Sequence, residues 1–199
     1  MFWTVASLCL SLPSELLQRL NLNPGSRVGY SAQNPRQIAE YEKTARNASA
    51  ICETGFNAGH SAAVWLASSN ASVHMFDIMN MTSSRGAADI LEKEYAARFH
   101  LHEGNTLDTL RNTHVRGCDI FSVDGDHSRH GAFLDLLHSV NMVSRCAIGY
   151  IDDTNCIAEW CEEPSQALSM FLKREPGIQV LQRFSFNRKR GMTKFRYKC

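Results

Sequence analysis

Two stretches of the chain gather residue types that could do chemistry. In the first, Ile51-Cys52-Glu53-Thr54-Gly55-Phe56-Asn57-Ala58-Gly59-His60-Ser61, a short apolar run ends in a carboxylate and passes through Gly-x-x-x-Gly into a helical pattern. In an open α/β sheet this first turn is where a nucleotide-like ligand sits. Gly55 permits the tight turn, Gly59 permits close approach of backbone, and amides opening a helix at Ser61 can receive an anionic group. Lys is absent and Asn57 takes the middle position, so the pattern is neither a P-loop nor a G-x-G-x-x-G turn. A plain strand-turn-helix with convenient glycines would look the same. The next apolar run ends in Asp77, about 20 residues on, the spacing at which a carboxylate meets ribose hydroxyls; a simple helix cap is the bland alternative. Glu103-Gly104-Asn105 closes a third run and would either line an adenine pocket or form a surface turn.

The second stretch is in two parts. Val123-Asp124-Gly125-Asp126-His127-Ser128 and Ile151-Asp152-Asp153-Thr154 each end an apolar run. Four carboxylates therefore meet at the carboxyl edge of what should be adjacent strands. Packed together they would repel and raise one another's pKa. A hard divalent cation relieves that repulsion, and all-oxygen ligation suits Mg²⁺, Mn²⁺ or Ca²⁺. Against this stands the reading of Asp-Gly as a turn and Asp153 as a cap. His127 differs from the other histidines by adjoining the acids; none of them shows a metal-ligand spacing such as HExxH. Trp160 and Cys161 read as helix packing or pocket wall.

Positioning these groups requires an alternation of strands and helices, and the periodicity supplies it. Strands are predicted at Ala50–Thr54, Ser72–Asp77, Phe99–Glu103, Cys118–Asp124, Cys146–Asp152, Ile178–Phe186 and Met192–Lys198. Helices are predicted at Ser14–Leu20, from Pro35 behind an Asn34 cap to about Arg46, and at Ser61–Ser68, Ser84–Arg98, His130–Val140 and Ser165–Arg174. Five strands with crossovers between them call for a mainly parallel sheet with helices on both faces. The last two are separated by only Asn187–Gly191, too short for a crossover, so they form an antiparallel hairpin.

With 199 residues, 44% hydrophobic and 21% charged, the chain is one ordinary globular domain, neither fibrous nor disordered. Its 21 basic and 20 acidic residues create no overall field for nucleic acid or an anionic membrane. Seven of the basic residues lie from Arg183 onward with no acid among them, a pattern suited to a guarded strand edge. No run reaches the length of a membrane span, about 20 apolar residues. Phe2–Leu12 has the length of a signal-peptide core but lacks a preceding Lys or Arg and a clear cleavage site, so a first helix is the rival reading. Seven scattered cysteines include one close pair, Cys156 and Cys161, whose oxidation would need an oxidising compartment. Three N-x-S/T sequons, at Asn47, Asn70 and Asn80, are compatible with secretion but arise easily by chance. On balance the cytoplasm is slightly favoured.

Taken together these motifs resemble the class I S-adenosylmethionine-dependent methyltransferases. They are most similar to the metal-dependent small-molecule O-methyltransferases with a Glu-x-Gly-x-Asn-x-Gly-x-Ser first motif and a Val-Asp-Gly-Asp-His-Ser fourth-strand motif. The resemblance spans about residues 48–199 and implies a Rossmann-like α/β fold with a seven-stranded sheet of order 3-2-1-4-5-7-6, strand 7 antiparallel. It implies that Glu53, Gly55, Asn57, Gly59 and Ser61 hold the methionyl part of the cofactor and Asp77 its ribose, with Asn105 and Asp124 completing the pocket. It further implies that Asp124, Asp152 and Asp153 bind Mg²⁺ or a similar cation and that Asp126 takes the substrate proton. His127 is the rival base, its ordinary pKa being nearer the working pH. Residues 1–47 would be N-terminal helices forming a lid. The implied substrate is a small hydroxylated molecule, with a homo-oligomer left open. Nucleic acid as acceptor is disfavoured because residues 1–182 carry 14 basic against 20 acidic groups. A scaffold without turnover is the alternative from another class.

Overall fold

The structure, a computed structural model, describes residues 14–21 and 34–199; the stretch Phe2–Leu12 lies outside the described residues. The elements follow in the order α1 (Ser14–Asn21), α2 (Pro35–Ala45), β1 (Ala50–Thr54), α3 (His60–Ser68), β2 (Ser72–Asp77), α4 (Thr82–Tyr95), β3 (Phe99–Glu103), α5 (Thr106–Asn112), β4 (Cys118–Val123), α6 (Arg129–Ser139), β5 (Val143–Asp152), α7 (Glu162–Arg174), β6 (Gln179–Asn187) and β7 (Arg190–Arg196). They build one seven-stranded sheet of order β3-β2-β1-β4-β5-β7-β6. The first five strands are parallel, and β7 runs antiparallel to both β5 and β6. The expected topology is therefore the observed one. Edge strand β6 carries one basic residue of the tail, Arg183, while Arg190, Lys194 and Arg196 lie on the interior strand β7, so the tail guards the edge only at Arg183.

Helix α4 ends at Tyr95 and α7 starts at Glu162, each three residues from expectation, and two further elements also depart from it. Helix α5 was not anticipated: its seven residues offer one apolar pair, Leu107 and Leu110, and its clearest signal is the Asn105 cap, whose Oδ1 accepts from the Leu107 amide at 3.0 Å. Strand β5 starts at Val143 rather than Cys146. Val143 pairs with Cys118, and a register shift follows before Ile148 meets Ile120.

Both faces of the sheet are covered. On one, Leu20, Tyr41, Trp65 and Leu91 of α1 to α4 pack with Ile51 and Met75; on the other, Leu110, Leu136 and Phe171 of α5 to α7 pack with Phe121 and Ile151. Helix α2 is well started, with Pro35 in its first turn and Asn34 Oδ1 accepting from the Arg36 and Gln37 amides at 3.2 and 3.4 Å. Its Tyr41 ring stacks on Trp65 at 4.1 Å between centroids, an arrangement that adds about 1 kcal/mol to the area both rings bury. Three disulfides, Cys52–Cys118, Cys146–Cys199 and Cys156–Cys161, pair all the described cysteines. Only the last joins residues close in sequence. No described helix is long and apolar enough to cross a membrane.

Candidate active site

The turn after β1 is built around left-handed backbone. Gly55, Asn57 and Gly59 have φ of 90°, 46° and 74°. At Gly55 the space is as restrictive as the angle, because a Cβ would lie 2.0 Å from the carbonyl oxygen of Asp124. The two ends of the candidate site thus touch through backbone at this glycine. Asp77 fastens the turn from β2: its Oδ2 accepts from the Phe56 and Asn57 amides at 2.6 and 3.3 Å, and its Oδ1 from the Met79 amide at 2.5 Å. Asn57 Oδ1 accepts from the Ser83 hydroxyl at 3.1 Å, which ties the turn to α4.

Glu53 lies behind the turn and is fully buried. Its Oε2 accepts from Ser61 Oγ at 2.7 Å and from the Trp65 indole at 3.1 Å, whereas Oε1 is buried without a hydrogen-bond partner. Burial, reinforced by the charge of Asp124, pushes the Glu53 carboxyl up to about 8. A carboxyl in that position gains most from a cationic ligand group. Helix α3 opens beyond it with no side-chain cap, leaving its first amides for another partner. Beside it His60 bonds Asn21 at 3.1 Å, and burial pulls the imidazole down to about 4, so it is neutral near pH 7.

The carboxylate end is arranged differently. His127 lies between two acids, its Nε2 3.3 Å from Asp124 Oδ1 and its Nδ1 3.2 Å from Asp153 Oδ2. Those bonds, Asp124 first and then Asp153, hold its pKa well above the ordinary imidazole value. Asp153 has φ of 49°, and its Oδ1 is buried without a partner. The neighbouring Asp152 is pushed well up, first by burial and then by the charges of Asp124 and Asp153, with Arg190 opposing. Its Oδ1 accepts from Gln37 Nε2 at 3.3 Å. Asp126 is exposed, and its Oδ1 accepts from the Ser128 amide at 2.8 Å at the entry to α6.

Of the residues assigned a cofactor, metal or catalytic role from the sequence, all but Glu53 and Gly59 line one cleft of about 830 Å³ at the carboxyl ends of the parallel strands, a volume ordinary for a cofactor-sized ligand. Gly59 caps α3, and Glu53 lies beneath the floor. Trp160 belongs to the wall of the cleft. The sequence reading missed Gln37 and Arg190, which act on Asp152, and Asp135, a fully buried acid of α6 that burial raises to about 6. No motif marks these three.

The residues fit a cationic cofactor at the Glu53 end, on the strength of the orphaned Oε1. At the other end the oxygen donors and the orphaned Asp153 Oδ1 suit a hard divalent cation, with His127 standing between two of the three acids. Among the described residues, the three ligand atoms found within 4.8 Å of one another belong to Asp153, Cys156 and Cys161, and the two sulfurs are joined as a disulfide. Asp124, Asp152 and Asp153 do not form such a group.

No curated protein matches the chain in sequence. Solved structures do resemble it in fold. The O-methyltransferase from Bacillus cereus, in complex with SAH, has a TM-score of 0.76 at 15% identity, covering 96% of this chain and 94% of its own. Cofactor-bound Rv0187 from MTB gives 0.74 at 17% identity over 93% and 88%. The SAH-bound Podospora anserina methyltransferase PaMTH1 gives 0.67 at 20% identity over 94% and 89%. A family profile described as a methyltransferase domain matches residues 52–154, from β1 to the end of the Asp152-Asp153 turn, so that the glycine turn and both acidic turns fall inside it. That match spans more than half of the sequence, and the chain belongs to the methyltransferase domain family.

Proposed function

We propose that the protein transfers a methyl group from S-adenosylmethionine to a hydroxyl of a small molecule, with a divalent cation such as Mg²⁺ held by Asp124, Asp152 and Asp153. The observation that carries the cofactor half is the buried, unpartnered oxygen of Glu53 beneath a cleft of cofactor size. Glu53 would receive the ammonium of the methionyl group, Ser61 and the opening of α3 its carboxylate, and the turn held by Asp77 would flank the ribose. The SAH-bound neighbours support this assignment.

The reaction breaks the bond between sulfonium sulfur and methyl carbon, forms the bond from methyl carbon to substrate oxygen, and releases the hydroxyl proton. A sulfonium is already reactive, so the chain must chiefly align the nucleophile and remove its proton. Asp126, exposed on the cleft wall, would accept that proton. When bound, a cation would make the hydroxyl more acidic and compensate the acids that crowd Asp152. Vicinal hydroxyls, as in catechols or sugars, would suit it.

A second reading is favoured by one observation, the imidazole of His127 spanning Asp124 and Asp153. There the charge of the acids is met by the imidazolium alone, and Asp126 takes the substrate proton without a cation. Chelator treatment separates the two, because activity surviving it would discard the cation.

The cofactor assignment is tested by calorimetric titration with S-adenosylhomocysteine at pH 7 in two buffers of different ionisation enthalpy. Binding with release of about one proton is expected, since Glu53 would ionise on meeting the ammonium. Glu53→Gln should bind more weakly and release none. A folded chain that does not bind would sink the assignment.

A further inference from the structure

We propose that this chain matures in an oxidising secretory compartment and carries N-linked oligosaccharide on Asn47 and Asn70. Each of the tripeptides Asn47-Ala48-Ser49, Asn70-Ala71-Ser72 and Asn80-Met81-Thr82 has the acceptor pattern, which alone says little. The structure adds that all three asparagines are exposed and outside regular elements. Asn47 stands in the connection from α2 to β1, and Asn70 in the connection from α3 to β2. Those connections are neighbours. Ala50 registers with Ser72, and the Ser72 amide donates to the Ser49 carbonyl at 3.0 Å. Both asparagines therefore lie at the edge where the parallel strands begin, whereas the cleft lies where they end. The Asn70 turn is also fixed, because the Arg98 guanidinium donates to the carbonyls of Leu66, Ser69 and Ala71 at 2.9 to 3.2 Å. A solvated glycan can stand on this edge without crossing the cleft. Asn80 lines the cleft, where a glycan would obstruct entry, and it stays unmodified.

The disulfides point to the same compartment by unrelated chemistry. Cys52–Cys118 and Cys146–Cys199 join residues 66 and 53 positions apart, and Cys146 and Cys199 are both exposed. The glutathione poise of the cytosol keeps such accessible thiols reduced, while the secretory pathway oxidises them. Each bond forms by thiol–disulfide exchange, the two electrons and two protons passing to a disulfide-donating oxidoreductase. In the same lumen the Asn side-chain nitrogen attacks the anomeric carbon of a lipid-linked oligosaccharide diphosphate. The C–N bond forms, the sugar–phosphate bond breaks, and the amide proton is lost as the lipid diphosphate departs.

The test uses the full chain isolated from the cells that naturally make it. It is treated with peptide N-glycosidase in ¹⁸O water and, separately, alkylated before and after reduction. The expected result is a drop in intact mass, ¹⁸O-labelled Asp at positions 47 and 70, and alkylation of the six paired cysteines only after reduction. In a secreting eukaryotic host, Asn47→Gln and Asn70→Gln should each remove one glycan and leave the fold unchanged. Unmodified Asn47 and Asn70 in the native protein, or seven cysteines alkylated without reductant, would overturn the proposal.

Discussion

The two ends of the cleft are built on opposite plans. Around the β1 turn the carboxylates and the Asn57 amide are held from within the chain, with Glu53 Oε1 and the opening amides of α3 left for a ligand: Asp77 binds three amides, Ser61 and Trp65 hold Glu53, and Ser83 holds Asn57. At the ends of β4 and β5 the acids outnumber their partners, and His127 is shared between two of them. The first end is preorganised. The second stores repulsion that a ligand can relieve. A site that must grip one invariant ligand and also admit a charged or chelating one gains from both plans.

The contrast breaks most severely at the joint. Gly55→Ala places a Cβ 2.0 Å from the Asp124 carbonyl oxygen at a φ of 90°, so it should cost about 4 kcal/mol. Chemical denaturation would show this, with cofactor binding lost alongside. A wild-type midpoint in that variant would mean the two ends are not coupled through the glycine.

Glu53 sharpens the same contrast through pH. Its carboxyl titrates near 8 in the folded protein against 4.5 in the unfolded chain. Between those values the folded state retains a proton that the unfolded state has released. The contribution to stability is therefore greatest below 4.5, declines as pH rises toward 8 and levels off above it. Glu53→Gln should flatten this slope and stabilise the cofactor-free protein above pH 8 by a few kcal/mol, read from unfolding midpoints across the pH range. An unchanged slope would assign it to other groups.

Smaller effects probe the acidic end. The Cys156–Cys161 bridge closes a loop directly after Asp153, with a sequence separation of 5. Replacing both cysteines by Ser should cost about 2 kcal/mol by loop entropy and lower activity by loosening the Trp160 wall. Full activity in a destabilised variant would make the bridge purely structural. His127→Ala should cost about 1 kcal/mol, because a ring 42% exposed is screened by solvent. It should also increase the rise in Tm produced by Mg²⁺, since the cation would no longer compete with the imidazolium. No rise in either protein would count against the cation.

What the sequence made legible follows the same division. The strands, the closing hairpin and the two acidic turns could be read because alternation and turn chemistry are local properties, whereas the strand order came only with the family resemblance. The Gly55 turn could be read too, although its tightest constraint comes from Asp124, distant in the chain. Asp135 looks like a surface acid of an amphipathic helix, and only the packing beneath Gly125, whose Cβ would stand 3.4 Å from its Oδ2, makes it a buried one. The role of Gln37 depends on α2 crossing to Asp152, 115 residues away. Cys52 and Cys118 are each unremarkable within apolar runs, and their pairing requires the strand order first.

The helix that carries Gln37 has a further consequence. Gln37 Nε2 donates to Asp152 Oδ1 and to the Tyr41 hydroxyl, Tyr41 stacks on Trp65, and the Trp65 indole donates to Glu53. Burial first, and then the charges of Asp152, Glu53 and Asp124, holds the Tyr41 phenol far above its usual pKa. One buried wall thus touches both ends of the cleft. Thermodynamic linkage makes any coupling through it reciprocal: whatever factor a cation adds to cofactor affinity, the cofactor returns to the cation. Heterotropic cooperativity between two ligands would then reside in a tyrosine and a glutamine that contact neither reacting atom.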